Sequence, residues 1–371
     1  MTSGARRWLG RGALLVGSTI ASLACVEIAV RVMGREPERY AHPWHIETPD
    51  KRVGLDVYPD NPGGYFSIDL RRPEERTLWR DRGLTQVDDR WQRTPFAVGF
   101  RYTAELCRGD AIAPRTAGRA RVVVIGDSFT EGQGVREEDT FVSVLGRSLV
   151  PAELLDCGRR GYDFPELRQL FDRNLVLEPD VVVYAMILND PQQSPAFHEH
   201  YPYLNDWILE RRRMVMQDEP RPQRTFWESR LMALIGERRE AARVAHESTR
   251  WYQGIVGEPN REGWQATLTH LSEMDQAMRA RGGKLVVVLW PLLIDLDGDY
   301  PFEVAHRTIR DALEARHITF HDTLPAFRGH DAKSLWVHPT DRHANARAHA
   351  MFAHEIEATV RSALSENALP H

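Results

Sequence analysis

The sequence is poor in cysteine and lysine, and neither sign of charge dominates it. Its 371 residues contain 48 Lys and Arg residues against 53 Asp and Glu residues, a formal net charge of −5. A chain without a strong positive balance lacks the general attraction that drives nucleic-acid binding, so no nucleic-acid partner is predicted. Lysine occurs only at Lys51, Lys284 and Lys333, which we attribute to genome composition.

Cysteine occurs at Cys25, Cys107 and Cys157 alone. So few cysteines exclude a disulfide-dense scaffold, and without a Cys-x-x-Cys pair nothing indicates a zinc ribbon or a thioredoxin-type site. Cys107 and Cys157 could pair in an exported domain, but their spacing does not decide this. The chain also lacks internal repeats and low-complexity tracts, and its 42% of hydrophobic residues is enough for a folded core.

The first segment, residues 1–35, predicts a signal anchor or a signal peptide. Three arginines within the first eleven residues precede an uncharged run over 12–26, which reaches residue 30 if Glu27 is tolerated. Nineteen helical residues span roughly 28 Å, close to the thickness of a bilayer core. Because the positive flank stays in the cytoplasm, the remainder of the chain is predicted to lie outside.

An uncleaved anchor that contacts the membrane through residues 12–30 is the favoured interpretation, and three others remain open. The run also suits a signal peptide cleaved after Ser22-Leu23-Ala24, a lipoprotein modified at Cys25, or a buried helix of a soluble protein. Glu27 is the main objection to an anchor. It lies near the outer end, where a carboxylate can reach the membrane interface.

Residues 36–118 predict an irregular, partly β extension. They are rich in Pro, Gly, Arg and Asp, and they contain short possible strands at 64–70 and 96–102. No helical period persists in this part of the chain. We therefore expect it to pack on the following domain and not to form a separate enzyme.

The pattern changes at residue 119, where short β-branched runs begin to alternate with helical stretches. Such runs, bounded by turn residues, are typical of buried parallel strands. The predicted strands lie at 121–125, 152–157, 181–187, 284–289 and 317–321, and the helices at 140–149, 164–176, 264–281, 304–316 and 344–363. This alternation predicts an α/β domain over 119–371, with a doubly wound parallel sheet of about five strands.

One segment, 196–262, breaks the alternation because it contains no convincing strand. It holds several tryptophans and tyrosines among many arginines and glutamates. We expect a helical insertion over the strand ends. It acts either as plain packing helices or as a substrate-binding lid.

Chemistry-bearing residues follow the first three predicted strands, and ligands of open parallel sheets bind at the carboxyl ends of the strands. Ser128 follows the first strand in Gly126-Asp127-Ser128-Phe129, Gly161 follows the second, and Asn189 ends the third. Each has an ordinary structural explanation as well: a helix-capping serine, a turn glycine and an Asx turn before proline. The serine motif is neither a GxSxG elbow nor a P-loop.

Asp341 and His343 stand just before the last predicted helix. This pair can present an imidazole to the cleft while the carboxylate orients it. A metal site is the rival interpretation because His338 and His349 are close in sequence, but the spacing does not suit a zinc helix and no metal is expected. A serine nucleophile, a histidine base with an aspartate partner, and extra amide donors together indicate a hydrolytic site.

These residues resemble the blocks of the SGNH/GDSL hydrolase superfamily over about residues 118–362. Ser128 matches the nucleophile of the first block, Gly161 the second-block glycine, Asn189 the third-block asparagine, and His343, with Asp341, the fifth block. The resemblance implies a three-layer, flavodoxin-like fold and ester hydrolysis by a Ser128–His343–Asp341 triad. It implies an oxyanion hole formed by the Ser128 and Gly161 amides and the Asn189 side chain, and no cofactor.

The apolar segment, which ends in Glu27-Ile-Ala-Val-Arg31, is similar to that of membrane-tethered bacterial members of the superfamily. This similarity implies a location at the bacterial inner membrane. A single N-terminal anchor would then place the catalytic domain on the periplasmic or extracellular side.

The sequence also departs from the usual blocks. Ile187 and Leu188 precede Asn189 where Gly-x-Asn is usual, one residue instead of two separates Asp341 from His343, and Ala344 replaces a proline. The shorter Asp–His spacing also occurs in exported polysaccharide O-acetylesterases and O-acetyltransferases.

Three functions therefore stay open. The favoured one is an exported esterase acting on an O-acetyl or short acyl ester of a carbohydrate or lipid, so that the partner is an ester-bearing small molecule or polysaccharide. The others are an O-acyltransferase on an envelope polysaccharide or metabolite and a non-catalytic binding or assembly protein.

Overall fold

The computed structural model describes residues 3–33, 44–47, 52–58, 96–109, 111–206, 227–338 and 341–367. Contacts within the chain divide it into two units. The smaller unit comprises Met1–Tyr40 and Trp207–Ser248, and the larger unit comprises Ala41–Asp206 and Thr249–His371.

Helices and strands alternate over most of the described residues. The helices are α1 Ser3–Val32, α2 Ser128–Glu131, α3 Phe141–Ser148, α4 Glu166–Asn174, α5 Pro195–His200, α6 Arg230–Gly254, α7 Arg261–Arg279, α8 Glu303–Glu314, α9 Leu324–Phe327 and α10 Ala346–Asn367. The strands are β1 Trp44–Glu47, β2 Val53–Tyr58, β3 Phe96–Arg101, β4 Arg121–Gly126, β5 Glu153–Asp156, β6 Val181–Met186, β7 Lys284–Leu289, β8 Thr319–Asp322, β9 Trp336–His338 and β10 Asp341–Ala344.

The smaller unit contains α1 and most of α6. Within α1, Arg11–Val32 is long and apolar enough to cross a membrane, and its side chains are nearly all exposed. The Glu27 carboxylate accepts hydrogen bonds from the backbone amides of Arg230 and Leu231 and from the Ser229 hydroxyl, each at 2.8 Å. Arg31 pairs with the same carboxylate at 2.7 Å. The acidic residue of this apolar helix therefore caps the start of α6, where amides lack helical partners.

The larger unit is built on five parallel strands in the order β5-β4-β6-β7-β8. Every residue of β4 and β6 is buried, which explains their continuous β-branched sequences: helices cover both faces of the sheet. Helices α3 and α10 pack together, and α4 packs with α7. Right-handed crossovers, the rule for parallel strands, put α3 and α4 on opposite faces of a sheet with this strand order. The predicted doubly wound α/β sheet is confirmed.

The predicted strand boundaries lie close to those observed, and the differences are concentrated at short elements. The predicted strand at 317–321 is β8 at Thr319–Asp322, and the predicted strand at 96–102 is β3. The predicted strand at 64–70 lies outside the described residues. Strands β1 and β2, which pair with β3 in an antiparallel sheet, were not predicted because they are short and carry polar residues.

Two features of the larger unit were not predicted from the sequence: a disulfide, which its spacing left undecided, and a short hairpin. A disulfide joins Cys107, after β3, to Cys157, after β5, whereas Cys25 is unpaired. The β9–β10 hairpin, in which Asp341 pairs with His338, occupies the chain just before α10. Within 196–262, the described residues form α6 and neighbouring helical segments, with no strand among them.

Candidate active site

Ser128 lies at the carboxyl end of β4, at the first position of the short helix α2. Asp127 caps this helix, since its Oδ1 accepts a hydrogen bond from the Phe129 amide at 2.9 Å. The Ser128 side chain lies in a mostly buried environment, with 9% of the residue exposed. An amide at the first position of a helix has no intrahelical acceptor, so the Ser128 N–H remains available to an anion.

His343 lies between Ser128 and Asp341. Its Nε2 lies 2.8 Å from the Ser128 Oγ, and its Nδ1 is hydrogen bonded to Asp341 Oδ1. Asp341 and His343 both belong to β10, where residues two apart point to the same face. The Asp-x-His spacing therefore brings carboxylate, imidazole and hydroxyl into one chain of hydrogen bonds.

Gln133 also holds this chain, and sequence reasoning missed it. Its Nε2 donates to Asp341 Oδ2 at 3.0 Å, while its backbone amide donates to the Ser128 carbonyl at 3.1 Å. Gln133 thus connects the nucleophile turn to the aspartate that orients His343. Its only sequence signal is its position just after the first block.

Asn189 reaches the nucleophile turn through Asp127. The Asn189 Nδ2 donates to Asp127 Oδ2 at 3.1 Å, and the same oxygen lies 3.2 Å from the Ser128 Oγ. An amide nitrogen carries two hydrogens, so one remains for a bound ligand. The structure thus links Asn189 to Ser128 through Asp127, and the oxyanion role of Asn189 stays a prediction.

The loop that carries Asn189 is fixed by Asp190, which is fully buried. Asp190 accepts hydrogen bonds from the Ile187 amide at 3.0 Å and from the Tyr184 hydroxyl at 2.8 Å. Burial raises the pKa of Asp190 well above its usual range, and the Asp127 carboxylate adds to this effect. This aspartate therefore holds the shape of the loop that carries Asn189.

Gly161 lies in the loop after β5 and adopts a left-handed conformation with φ of +74°. Its amide has no acceptor among the described residues, and no hydrogen bond joins it to the three residues of the triad. The loop itself packs tightly on α2, because a Cβ at Gly158 would lie 2.3 Å from the Glu131 nitrogen. The structure therefore places this loop beside the nucleophile turn, and the oxyanion role of Gly161 stays a prediction.

The charged groups around His343 favour the protonated form of its imidazole. Burial favours the neutral form of Asp341, but His343 outweighs this effect and holds the pKa of Asp341 far below its ordinary value. Burial also opposes a charged imidazole, yet the Asp341 carboxylate raises the pKa of His343 above its ordinary value. The imidazolium that forms when His343 takes a proton is thus stabilised in place.

Asp127 is a second carboxyl group that acts on the imidazole, since it favours the protonated form and raises the pKa of His343. Burial raises the pKa of this carboxyl, while the hydrogen bonds from Phe129 and Asn189 act in the opposite direction. The sequence singled out its neighbour Ser128 and gave Asp127 no role. In the structure it connects Ser128 and Asn189.

No cluster of three or more His, Cys, Asp or Glu side chains suited to a metal ion occurs among the described residues. His349, one of the histidines considered for a metal, is buried in the core. Its Nδ1 accepts a hydrogen bond from the Phe141 amide at 3.1 Å, and burial lowers the pKa of His349 to about 3. It is a neutral histidine of the core.

Among known proteins, the chain is similar only to solved structures. No protein-family model and no curated protein sequence matches the chain. Among the solved structures with a similar chain path is a lipolytic protein of the G-D-S-L family from Desulfitobacterium hafniense, with 13% identity and a TM-score of 0.38. The similarity covers 65% of this chain and 99% of that one.

Two further solved structures are similar to the same extent. An α/β hydrolase from the metagenome of Lake Arreo shares 16% identity, with 67% of this chain and 98% of that one covered and a TM-score of 0.38. An acetylxylan esterase from Geobacillus stearothermophilus shares 13% identity, with 70% and 98% covered and a TM-score of 0.36.

Proposed function

We propose that this protein is a membrane-anchored serine esterase of SGNH type. One observation carries the proposal: the Ser128 Oγ lies 2.8 Å from His343 Nε2, and Asp341 is hydrogen bonded to the other ring nitrogen. A hydroxyl, an imidazole and a carboxylate in this order form an activated nucleophile. The position of Ser128 at the carboxyl end of a central parallel strand supports the proposal.

In the first half of the reaction, the Ser128 oxygen attacks the ester carbonyl while His343 Nε2 accepts the hydroxyl proton. Asp341 keeps the Nδ1 hydrogen in place and stabilises the imidazolium. The tetrahedral intermediate collapses as His343 returns the proton to the departing alcohol, leaving an acyl group on Ser128.

In the second half, a water molecule loses a proton to His343 and attacks the acyl carbonyl. The second tetrahedral intermediate collapses as His343 returns that proton to the Ser128 oxygen, which releases the acid and restores the serine. The negative oxygen of both intermediates is met by the Ser128 and Gly161 amides and by the Asn189 side chain. Donors fixed in advance for such an oxygen are often the largest single contribution to rate.

The proposed substrate is an ester-bearing small molecule or polysaccharide, with an O-acetyl or short acyl group on a carbohydrate or lipid. This assignment depends on the resemblance to SGNH hydrolases. The enzyme needs no cofactor for the reaction written above.

The proposed location is the bacterial inner membrane, with the larger unit on the periplasmic or extracellular side. The apolar span Arg11–Val32 and the arginines that precede it support this orientation. The Cys107–Cys157 disulfide supports it independently, since disulfides persist in oxidising compartments.

The test is fluorophosphonate labelling of the full chain in detergent, beside Ser128→Ala and the matched control Ser148→Ala. Ser148 hydrogen bonds within its own helix, on the Leu145 carbonyl. We expect label on the parent and on Ser148→Ala and none on Ser128→Ala. Equal labelling of all three chains would place the nucleophile elsewhere.

The same chains are then incubated with p-nitrophenyl acetate and with acetylated sugars, with and without an acceptor sugar. Acetate release into water without an acceptor supports the esterase. Release only when the acceptor is present would replace the esterase with an acyltransferase that uses the same triad. A folded parent that neither labels nor releases acetate would favour a non-catalytic binding protein.

A further inference from the structure

Arg160 lies where three segments of the larger unit meet. Its Nε lies 2.9 and 2.8 Å from the two Glu131 carboxylate oxygens, and its backbone amide donates to Glu131 Oε2 at 2.9 Å. Its two terminal nitrogens donate to the two oxygens of Asp56 on β2, at 2.9 and 3.2 Å. The guanidinium also lies over the Phe100 ring of β3, 4.4 Å from its centroid.

This group of three charged side chains, the Arg160 network, is almost sealed from water. Glu131 is fully buried, Asp56 is 1% exposed, and the Arg160 side chain is 13% exposed. Buried carboxylates are costly unless they are paired and hydrogen bonded, so neither carboxylate can leave the guanidinium cheaply. Because the guanidinium is planar and its N–H donors have fixed directions, it fixes the orientation of the Glu131 and Asp56 carboxylates relative to each other.

The network is attached to the segments that carry the proposed chemistry. Glu131 ends the helix that Ser128 begins, and Arg160 directly precedes Gly161. Asp56 Oδ2 also accepts a hydrogen bond from the Gly134 amide at 3.1 Å, next to the glutamine that holds Asp341. A shift of the guanidinium would therefore reach the nucleophile turn, the oxyanion loop and the aspartate of the triad.

We propose that Arg160, held between Glu131 and Asp56, is a positioning residue that sets the Gly161 amide against Ser128. Through Asp56 and Phe100, the N-terminal antiparallel sheet β1–β3 is then part of the catalytic apparatus. This inference rests on the proposed esterase function and assigns a role to a part of the chain that the sequence suggested was only an extension.

Arg160 also acts on the charge of the catalytic base. The Asp341 and Asp127 carboxylates favour the protonated imidazole of His343, and the Arg160 guanidinium opposes it and lowers the pKa of His343. Removal of this positive charge should raise the pKa of His343. Because the base must be neutral to accept the serine proton, the acid limb of the activity profile should move to higher pH.

The experiment measures kcat, KM and the pH profile for p-nitrophenyl acetate on the full chain in detergent, with thermal unfolding of each variant. Arg160→Gln should lower kcat by about a hundredfold, as expected when an oxyanion donor is misplaced, and should shift the acid limb upward. Arg160→Lys keeps the charge but not the fork, so kcat should fall about tenfold with the acid limb unmoved. Asp56→Asn, the mildest change, should lower kcat by less than Arg160→Lys and leave KM unchanged.

Arg121→Lys is the matched control, because Arg121 is also buried and paired with a carboxylate, Glu153, at 2.7 Å, but lies at the opposite end of β4. It should lower the unfolding temperature and leave kcat and the pH profile unchanged. If the Arg160 and Asp56 variants lose no more kcat than this control at equal loss of stability, the network is merely structural and the inference is wrong.

Failure of the proposed function gives a different result. A parent chain that neither labels nor hydrolyses contradicts the esterase and this inference together. A parent that hydrolyses, with variants that keep its kcat and acid limb, contradicts the inference alone.

Discussion

The two ends of the parallel sheet use the same kinds of side chain in opposite ways. At the amino end, Arg121 pairs with Glu153 and Arg115 pairs with Asp180, both at 2.7 Å. Arg121 also donates to the carbonyls of Leu177 and Ala113. Arg121 and Arg115 thus each have a carboxylate partner at this end of the sheet.

At the carboxyl end, the two carboxylates hold neutral side chains and one group, His343, that can change its charge. Asp127 serves both Ser128 and Asn189, and Asp341 serves both His343 and Gln133. The pKa of His343 is raised while that of Asp341 is lowered, so His343 can take up a proton and keep its hydrogen bond to the charged Asp341 carboxylate. We expect substitutions at the amino end to change stability and substitutions at the carboxyl end to change activity.

The largest expected effect is that of Asp341→Asn. An asparagine cannot stabilise the imidazolium and no longer selects the required tautomer, so kcat should fall about 10⁴-fold. Steady-state hydrolysis of p-nitrophenyl acetate measures this, and a thermal melt checks that the variant folds. A loss below about tenfold would show that Asp341 is not the orienting group.

Asn189→Ala should have the next largest effect. Loss of one oxyanion donor typically lowers kcat by about 10²–10³-fold, while fluorophosphonate should still react at Ser128. Turnover is compared with the extent of labelling on the same sample. Unchanged turnover would remove Asn189 from the oxyanion hole.

The pH dependence of activity tests the carboxyl end of the sheet without a mutation. The kcat/KM of the parent should fall as the pH drops through the raised pKa of His343, with a midpoint above the ordinary histidine value of 6.5. Raising the pKa of the base moves the loss of activity to higher pH, since only the neutral imidazole accepts the proton. A midpoint below 6.5 would contradict the dominance of Asp341 over burial.

At the amino end, Arg121→Met should change stability and not catalysis. The substitution removes hydrogen bonds to Glu153 and two carbonyls, which should cost about 1–3 kcal/mol in the free energy of unfolding. Urea unfolding measures the cost, and kcat should stay within twofold of the parent, as roughly expected for a site distant from the chemistry. A large fall in kcat would mean that the two ends are coupled.

The smallest effect is expected from Arg115→Ala. Its partner Asp180 and Arg115 itself are each about a third exposed, so water screens the ion pair. Such pairs contribute less than about 1 kcal/mol. Urea unfolding beside Arg121→Met tests the difference between a buried and an exposed arginine on the same edge. An equal cost for both variants would refute it.

The sheet could be predicted from sequence because β4, β6 and β7 each contain an uninterrupted run of β-branched residues. Such runs are typical of buried parallel strands. Ser128 and Asn189 were predicted as site residues because they follow such runs directly. Asp341 and His343 were predicted from their spacing, although the strand that carries them, β10, was not predicted.

Gln133, Asp56 and Arg160 could not be predicted in the same way. Each is an ordinary polar residue in its own segment, and its role depends on which distant segment the fold brings against it. Asp56 lies 104 positions from Arg160 and is part of a short strand with weak local signal. Only the tertiary structure shows that they belong together.

The Glu27 cap has a practical consequence for anyone who wants a secreted, detergent-free version of the protein. The N-terminal helix is not an interchangeable leader, since it supplies the carboxylate that closes the start of α6. Removal of residues 1–34, or their replacement by a foreign leader, would leave the Arg230 and Leu231 amides without that acceptor. Such chimeras should carry an acidic residue at the equivalent place, because Ser229, the helix's own cap, accepts from the Met232 amide and not from these two.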